Sequence, residues 1–184
     1  MAETPFGKER VVADESDGRI DAKCSMHATC LELLKDNLFP GARVLDVGSG
    51  SGYLVAVMAE MVGKEGQVTG IEHIPELTEQ SKLVLDSKKA PHWPPIEVLC
   101  GDGRLGYPPN APYDAIHVGA ASPEVPDSLI EQLNPGGKIV IPVGLDYQGL
   151  MLVEKDRNGK VHERNTMGVM YVPLTDKAKQ LSRW

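Results

Sequence analysis

Between Met26 and Leu38 the apolar residues Met26, Cys30, Leu33, Leu34 and Leu38 recur at a spacing that lines one face of a helix. Ser25 stands where an N-cap belongs. Pro40-Gly41 closes the segment, because proline lacks a backbone donor and restricts the residue before it. The period then changes. Arg43 to Val47 is a short apolar run of the kind that forms a buried strand, and Tyr53 to Val62 is helical and apolar over much of its surface. Gln67 to Glu72 predicts a second strand. Pro75 opens a helix running to about Ser87, with Leu77, Ser81, Val84 and Leu85 on one face. Ile96 to Cys100, Tyr113 to Val118 and Lys138 to Val143 predict three more strands. The last two are separated by a helix from Pro126 to Leu133, which Asn134-Pro135-Gly136-Gly137 caps. Strands alternating with helices predict a mostly parallel sheet with covered faces. The pattern then switches to two strand-like runs, Leu150 to Glu154 and Val161 to Tyr171, around the hairpin signal Asn158-Gly159. The sheet is therefore expected to end in an antiparallel hairpin, and the tail from Pro173 to Trp184 to form a short helix.

The first 22 residues show no period. They predict a polar, poorly ordered arm over residues 1–25, ahead of a single domain over residues 26–184. A formal net charge of -7 argues against a general nucleic-acid binder, which needs a basic face. Cys24, Cys30 and Cys100 are odd in number and lack C-x-x-C spacing, which points to a reducing compartment rather than a disulfide framework or a zinc site. The five histidines lack metal-ligand spacing, and His92 and His162 are expected on the surface. No apolar run approaches membrane-spanning length, and the N-terminus has no secretory core. The expectation is a cytoplasmic monomer with no metal and no nucleic-acid or membrane partner.

Chemistry enters at Val44-Leu45-Asp46-Val47-Gly48-Ser49-Gly50-Ser51-Gly52-Tyr53-Leu54, where a strand meets a helix through a glycine turn. Such a turn lets a ligand approach the backbone, and the helix that follows offers unpaired N–H groups. The glycines read G-x-G-x-G, whereas the dinucleotide fingerprint is G-x-G-x-x-G. The spacing disfavours an NAD-dependent oxidoreductase and matches the nucleotide turn of class I methyltransferases that use S-adenosylmethionine. A purely structural turn is the bland alternative. Glu72 ends the second strand, 20 residues after Gly52, where a carboxylate can accept ribose hydroxyls. Asp102, in Gly101-Asp102-Gly103, follows the third strand and can take an adenine amino group, although Asp-Gly is also an ordinary turn. Three such positions at the carboxyl ends of successive strands define one crevice.

Longer blocks carry a resemblance. Met26-His27-Ala28, Leu45 to Leu54, Glu72-His73-Ile74-Pro75-Glu76-Leu77, Gly101-Asp102-Gly103-Arg104 and Ala111-Pro112-Tyr113-Asp114-Ala115-Ile116-His117-Val118-Gly119-Ala120-Ala121 resemble the protein-L-isoaspartate O-methyltransferase family. So do Leu133 to Gly137, Tyr171 to Thr175 and Gln180 to Trp184. The resemblance implies a Rossmann-like class I methyltransferase fold, with S-adenosylmethionine as cofactor. Its implied substrates are isoaspartyl-containing proteins and peptides, whose abnormal α-carboxylate is methylated and returned through a succinimide towards aspartate. By position it implies that Asp46, Val47, Gly48, Ser49 and Gly50 hold the methionine end of the cofactor. It gives Glu72 and His73 the ribose and Asp102 and Gly103 the adenine, with His27, Thr175 and Gln180 nearby.

The family's serine, credited with a catalytic or orienting role, falls on Ala22. Ser25, three residues displaced, is the nearest catalytic candidate. The first 20 residues do not resemble the family's N-terminal helices, which implies a truncated or replaced lid. Two readings follow: an isoaspartyl methyltransferase, or a homologue that keeps the fold and cofactor binding without full turnover.

Overall fold

The computed structural model describes residues 22–174. Residues 1–21 of the arm expected over 1–25, and residues 175–184 of the tail expected as a helix, lie outside the described residues, whereas the last four residues of that arm fall in a helix. The first four strands occupy the residues that the pattern assigns: β1 (Arg43–Val47), β2 (Gln67–Glu72), β3 (Ile96–Cys100) and β4 (Tyr113–Val118). Helices α2 (Tyr53–Val62) and α3 (Pro75–Lys88) alternate with them. The sheet continues through β5 (Leu133–Val143), β6 (Gln148–Lys155) and β7 (Val161–Val169) in the order β3-β2-β1-β4-β5-β6-β7. The strands from β3 to β5 are parallel, and β6 and β7 run antiparallel to their neighbours. This is the expected Rossmann-like sheet with an antiparallel end.

Side chains alternate across the sheet and build two cores. Val44, Val68, Val98, Ala115 and Val140 pack with Cys30 and Leu34 of α1 (Ala22–Leu34), Val55 and Met58 of α2, and Leu85 of α3. Leu45, Val47, Ile116, Val118, Ile139 and Ile141 form the opposite core with Leu129 of α4 (Asp127–Glu131). Burying one Leu, Ile or Val contributes about 1.5–3 kcal/mol, so these two layers hold the strand ends in fixed register.

Three details differ from the pattern. Helix α1 begins at Ala22, so Ser25 is inside it rather than at its cap, and the Ser25 carbonyl accepts a hydrogen bond from Thr29 Oγ1 at 2.9 Å. Helix α4 is one short turn, and Asn134-Pro135-Gly136-Gly137 belongs to β5 instead of capping a helix. Tyr113 pairs with Leu133 and Ala115 with Lys138, so the segment between bulges out of the ladder. The Tyr113 N–H donates to the Gln132 carbonyl at 2.8 Å, and Asn134 Nδ2 donates to Asp114 Oδ1 at 2.8 Å. These long-range bonds override the local turn preference. Finally, β7 stops at Val169, and the next residues cross back over the sheet: the Ala121 N–H donates to the Val172 carbonyl (2.8 Å), and the Leu174 N–H to the Ala121 carbonyl (2.7 Å).

At the hairpin between β6 and β7, Asp156 Oδ1 accepts from the Asn158 and Lys160 N–H groups at 2.8 and 2.9 Å. The outermost strand exposes His162, Glu163, Arg164 and Asn165. Among the described residues no helix is long and apolar enough to cross a membrane.

Candidate active site

The chain leaves β1 towards β2 on one side and later returns to β4 on the other. A crevice opens at the carboxyl ends of the strands where the direction reverses. Its floor is the turn after Val47. Gly48, Gly50 and Gly52 all have positive φ (78°, 51° and 79°), a conformation that side chains with a Cβ resist. A Cβ on Gly52 would also meet Leu85 Cδ1 at 3.1 Å and Ser81 Cβ at 3.3 Å, so glycine lets α2 start against α3. The turn is tied to β2, because the Gly48 and Ser49 N–H groups both donate to the Ile71 carbonyl at 2.8 and 3.0 Å.

Glu72 is the junction between the turn and the next helix. It is 7% exposed, and its Oε2 accepts from the Gly50 N–H at 3.0 Å while Oε1 accepts from the Ile74 N–H at 3.0 Å. Both carboxylate oxygens are therefore aimed by backbone donors, each with a lone pair left for a ligand. Glu72 and His73 line the crevice, with Ile71 and Leu77 behind them and Gly103 beyond. A Cβ on Gly103 would fall 2.4 Å from Val47 Cγ1, so only glycine fits there. The far wall is Gly119, Ala120 and the returning segment Val172, Pro173 and Leu174.

Two polar atoms near this crevice, His73 Nε2 on its wall and Ser49 Oγ in the turn beside Gly70 of β2, are buried and have no hydrogen-bond partner among the described residues. Buried polar atoms are normally satisfied, so these two await a partner. Backbone bared by glycine, a positioned carboxylate, unsatisfied polar atoms and apolar walls together fit a nucleoside carrying a polar side arm.

A family model described as Protein-L-isoaspartate(D-aspartate) O-methyltransferase (PCMT) matches residues 12–179. The chain belongs to the protein-L-isoaspartate(D-aspartate) O-methyltransferase family. It is 55% identical over 159 residues to a protein-L-isoaspartate O-methyltransferase of Triticum aestivum, covering 85% of this chain and 69% of that one. It is 48% identical over 184 residues to protein-L-isoaspartate O-methyltransferase 1 of Arabidopsis thaliana, covering 92% and 80%. Among solved structures, a putative protein-L-isoaspartate O-methyltransferase from Plasmodium falciparum in complex with S-adenosyl-L-homocysteine superposes with a TM-score of 0.73 at 30% identity, covering 83% of this chain and 74% of that one. The family match begins ahead of Met26, where the residue blocks read from the sequence start.

Within this isoaspartyl methyltransferase frame the expected site residues separate into groups. Val47, Gly48, Glu72, His73 and Gly103 line the crevice, and Ser49 and Gly50 belong to its floor. His27 stacks on Tyr53, the first residue after the turn, with ring centroids 5.5 Å apart. Asp102 points elsewhere: Arg104 grips its carboxylate through Nε (2.9 and 3.1 Å) and Nη2 (2.6 Å), and the Arg104 N–H donates to Oδ1 at 3.0 Å. The Arg104 guanidinium holds the Asp102 carboxyl below the usual carboxylate range. Ser25 is exposed on α1 and is not part of the crevice wall. Thr175 and Gln180 lie outside the described residues.

Asp46 also turns away from the crevice. Its carboxylate is buried beneath the floor, and Oδ1 is 2.7 Å from His117 Nδ1. The sequence reading did not single out His117. The one signal available was its place on β4, two residues after the buried Ala115 and two before Gly119. His92 and His162 are exposed, as expected, beside Glu60 and Asp156.

Proposed function

We propose that this protein transfers the methyl group of S-adenosylmethionine to the α-carboxylate of L-isoaspartyl residues in damaged proteins and peptides. The observation that carries the reading is Glu72, clasped by the Gly50 and Ile74 N–H groups at the strand crossover, in a chain that belongs to the isoaspartyl methyltransferase family. The bound cofactor supplies an electrophilic methyl on a cationic sulfur, which a carboxylate oxygen displaces in one step. What remains for the protein is alignment and exclusion of water.

Each wall has a part in this. Glu72 accepts the ribose hydroxyls, with His73 beside it. Gly103 admits the adenine, and Asp102 reaches its amino group by releasing Arg104. The Gly48 to Gly50 turn and Ser49 Oγ receive the amino-acid end, and His27 closes the near side. Val172 to Leu174 limit water at the far wall. Thr175 and Gln180 are assigned to the same site by resemblance. We read the protein as a cytoplasmic monomer, a reading supported by its acidic balance and its free Cys30 and Cys100.

The test is a methyl-transfer assay with labelled S-adenosylmethionine on matched peptides that carry isoaspartate or aspartate at one position. A base-labile methyl ester on the isoaspartyl peptide alone is expected. Protein that binds S-adenosylhomocysteine yet forms no ester is a homologue without turnover, and the proposal fails.

A further inference from the structure

The parallel register of β1 and β4 sets Asp46 opposite His117. Both are almost fully buried, at 1% and 3% exposed, and their side chains meet at 2.7 Å. A carboxylate in such a place needs a close cation or several donors to offset its lost hydration. His117 Nε2 is buried and has no hydrogen-bond partner among the described residues. The buried Cys30 of α1 lies beside the ring, and Cys30 Sγ is 3.9 Å from the Tyr171 hydroxyl. Tyr171 opens the segment that walls the crevice. Its backbone is held by Gln148 on both sides, with the N–H donating to Oε1 at 2.5 Å and the carbonyl accepting from Nε2 at 3.0 Å. Above the ring, His117 Cε1 is 3.6 Å, and the Gly48 carbonyl oxygen 3.2 Å, from where a Cβ on Gly119 would stand. The imidazole thus packs beneath the two turns that face the ligand.

We propose that His117 is a positioning residue for methyl transfer: its hydrogen bond to Asp46 fixes the end of β1, and with it the Gly48 and Gly119 turns that receive the cofactor. The inference rests on the cofactor reading of the crevice. The groups that face His117 are Asp46 from β1, Cys30 from α1 and, through Cys30, Tyr171 after β7. Burial opposes a charged imidazolium, but the hydrogen bond that the ring donates to Asp46, helped by Cys30, outweighs it and pushes the His117 pKa up to about 10. Asp46 and His117 form a buried hydrogen-bonded pair beneath a site for a cationic cofactor.

The experiment compares the wild type, His117→Leu and His117→Asn in the full chain. Calorimetric binding of S-adenosylhomocysteine by the wild type comes first, and its absence overturns the cofactor reading and this inference with it. Given binding, His117→Leu is expected to weaken it at least about fivefold and to raise the KM for S-adenosylmethionine by as much, with a smaller change in kcat. His117→Asn keeps an N–H for Asp46 and is expected to recover most of that loss. A smaller loss in the leucine variant, or no recovery in the asparagine variant, overturns the proposal. Should the leucine variant not fold, the 15N shifts of the histidine rings in ligand-free wild type decide, read from about pH 6 to about pH 11. A buried ring that stays doubly protonated through neutral pH, with ligand affinity falling as it loses its proton, supports the role. A ring neutral at neutral pH, or affinity that ignores its titration, overturns it.

Discussion

Two carboxylates, one near the carboxyl end of β1 and one just after β3, each meet a basic side chain at nearly the same distance: Asp46 and His117 at 2.7 Å, Asp102 and Arg104 at 2.6 Å. Their surroundings are opposite. The side chains of the first pair are 2% and 4% exposed, and those of the second 38% and 46%. In water such a contact is worth about 1 kcal/mol or less and is screened by salt. Inside the core the attraction is far larger, but so is the cost of removing one partner. Identical chemistry therefore serves two purposes. The buried pair fixes the shape of the cradle floor, whereas the exposed pair can exchange one partner for another.

The largest effect that breaks this contrast should come from His117→Leu, which strands a buried carboxylate. A loss of about 3–5 kcal/mol in urea-induced unfolding is expected. A loss no larger than that of a surface substitution would put the two pairs on one footing. Next in size is Glu72→Gln, which turns an amide donor towards the Gly50 or Ile74 N–H. Calorimetry should show S-adenosylhomocysteine binding about tenfold to a hundredfold weaker, the range for losing hydrogen bonds to a charged group.

The pH dependence sharpens the comparison further. His117 has its pKa raised from 6.5 to about 10, so its stabilisation is complete below the unfolded value and is lost as pH rises through about 10. Melting temperature should fall across that window in the wild type and less so in His117→Asn. Tyr113, pushed up to about 12 by burial, keeps its proton through most of it. The smallest effect is expected for Arg104→Gln: less than about 1 kcal/mol in unfolding, shrinking further in high salt.

What the sequence made legible was local. The Gly48 to Gly52 turn, the strand end at Glu72 and the Asp102-Gly103 turn each announce themselves within a few residues, and the structure gathers the first two with Gly103 in one crevice. The alternation of strand and helix sufficed for the first four strands. Where contacts span the chain, local reading stopped. Asn134-Pro135-Gly136-Gly137 carries every mark of a helix end, yet pairing with Tyr113 and Asp114 draws it into a strand. The family resemblance assigns Asp46 to the methionine end of the cofactor. What that resemblance does not announce is the parallel register with β4, 71 residues further on, which sets its carboxylate against His117. No spacing rule links those two positions.

The charged face of β7 has a consequence for the protein's company. An outermost strand presents unpaired backbone groups, a template on which a second chain can add in register. His162, Glu163, Arg164 and Asn165 place bulky hydrated groups along its first half, and the 3.3 Å contact between His162 Nε2 and Asp156 Oδ2 fastens its start. A strand arriving from outside would have to strip water from these groups with nothing to replace it. Among the described residues the sheet ends at β7, and the hydration of these side chains guards that edge against fibrous self-association.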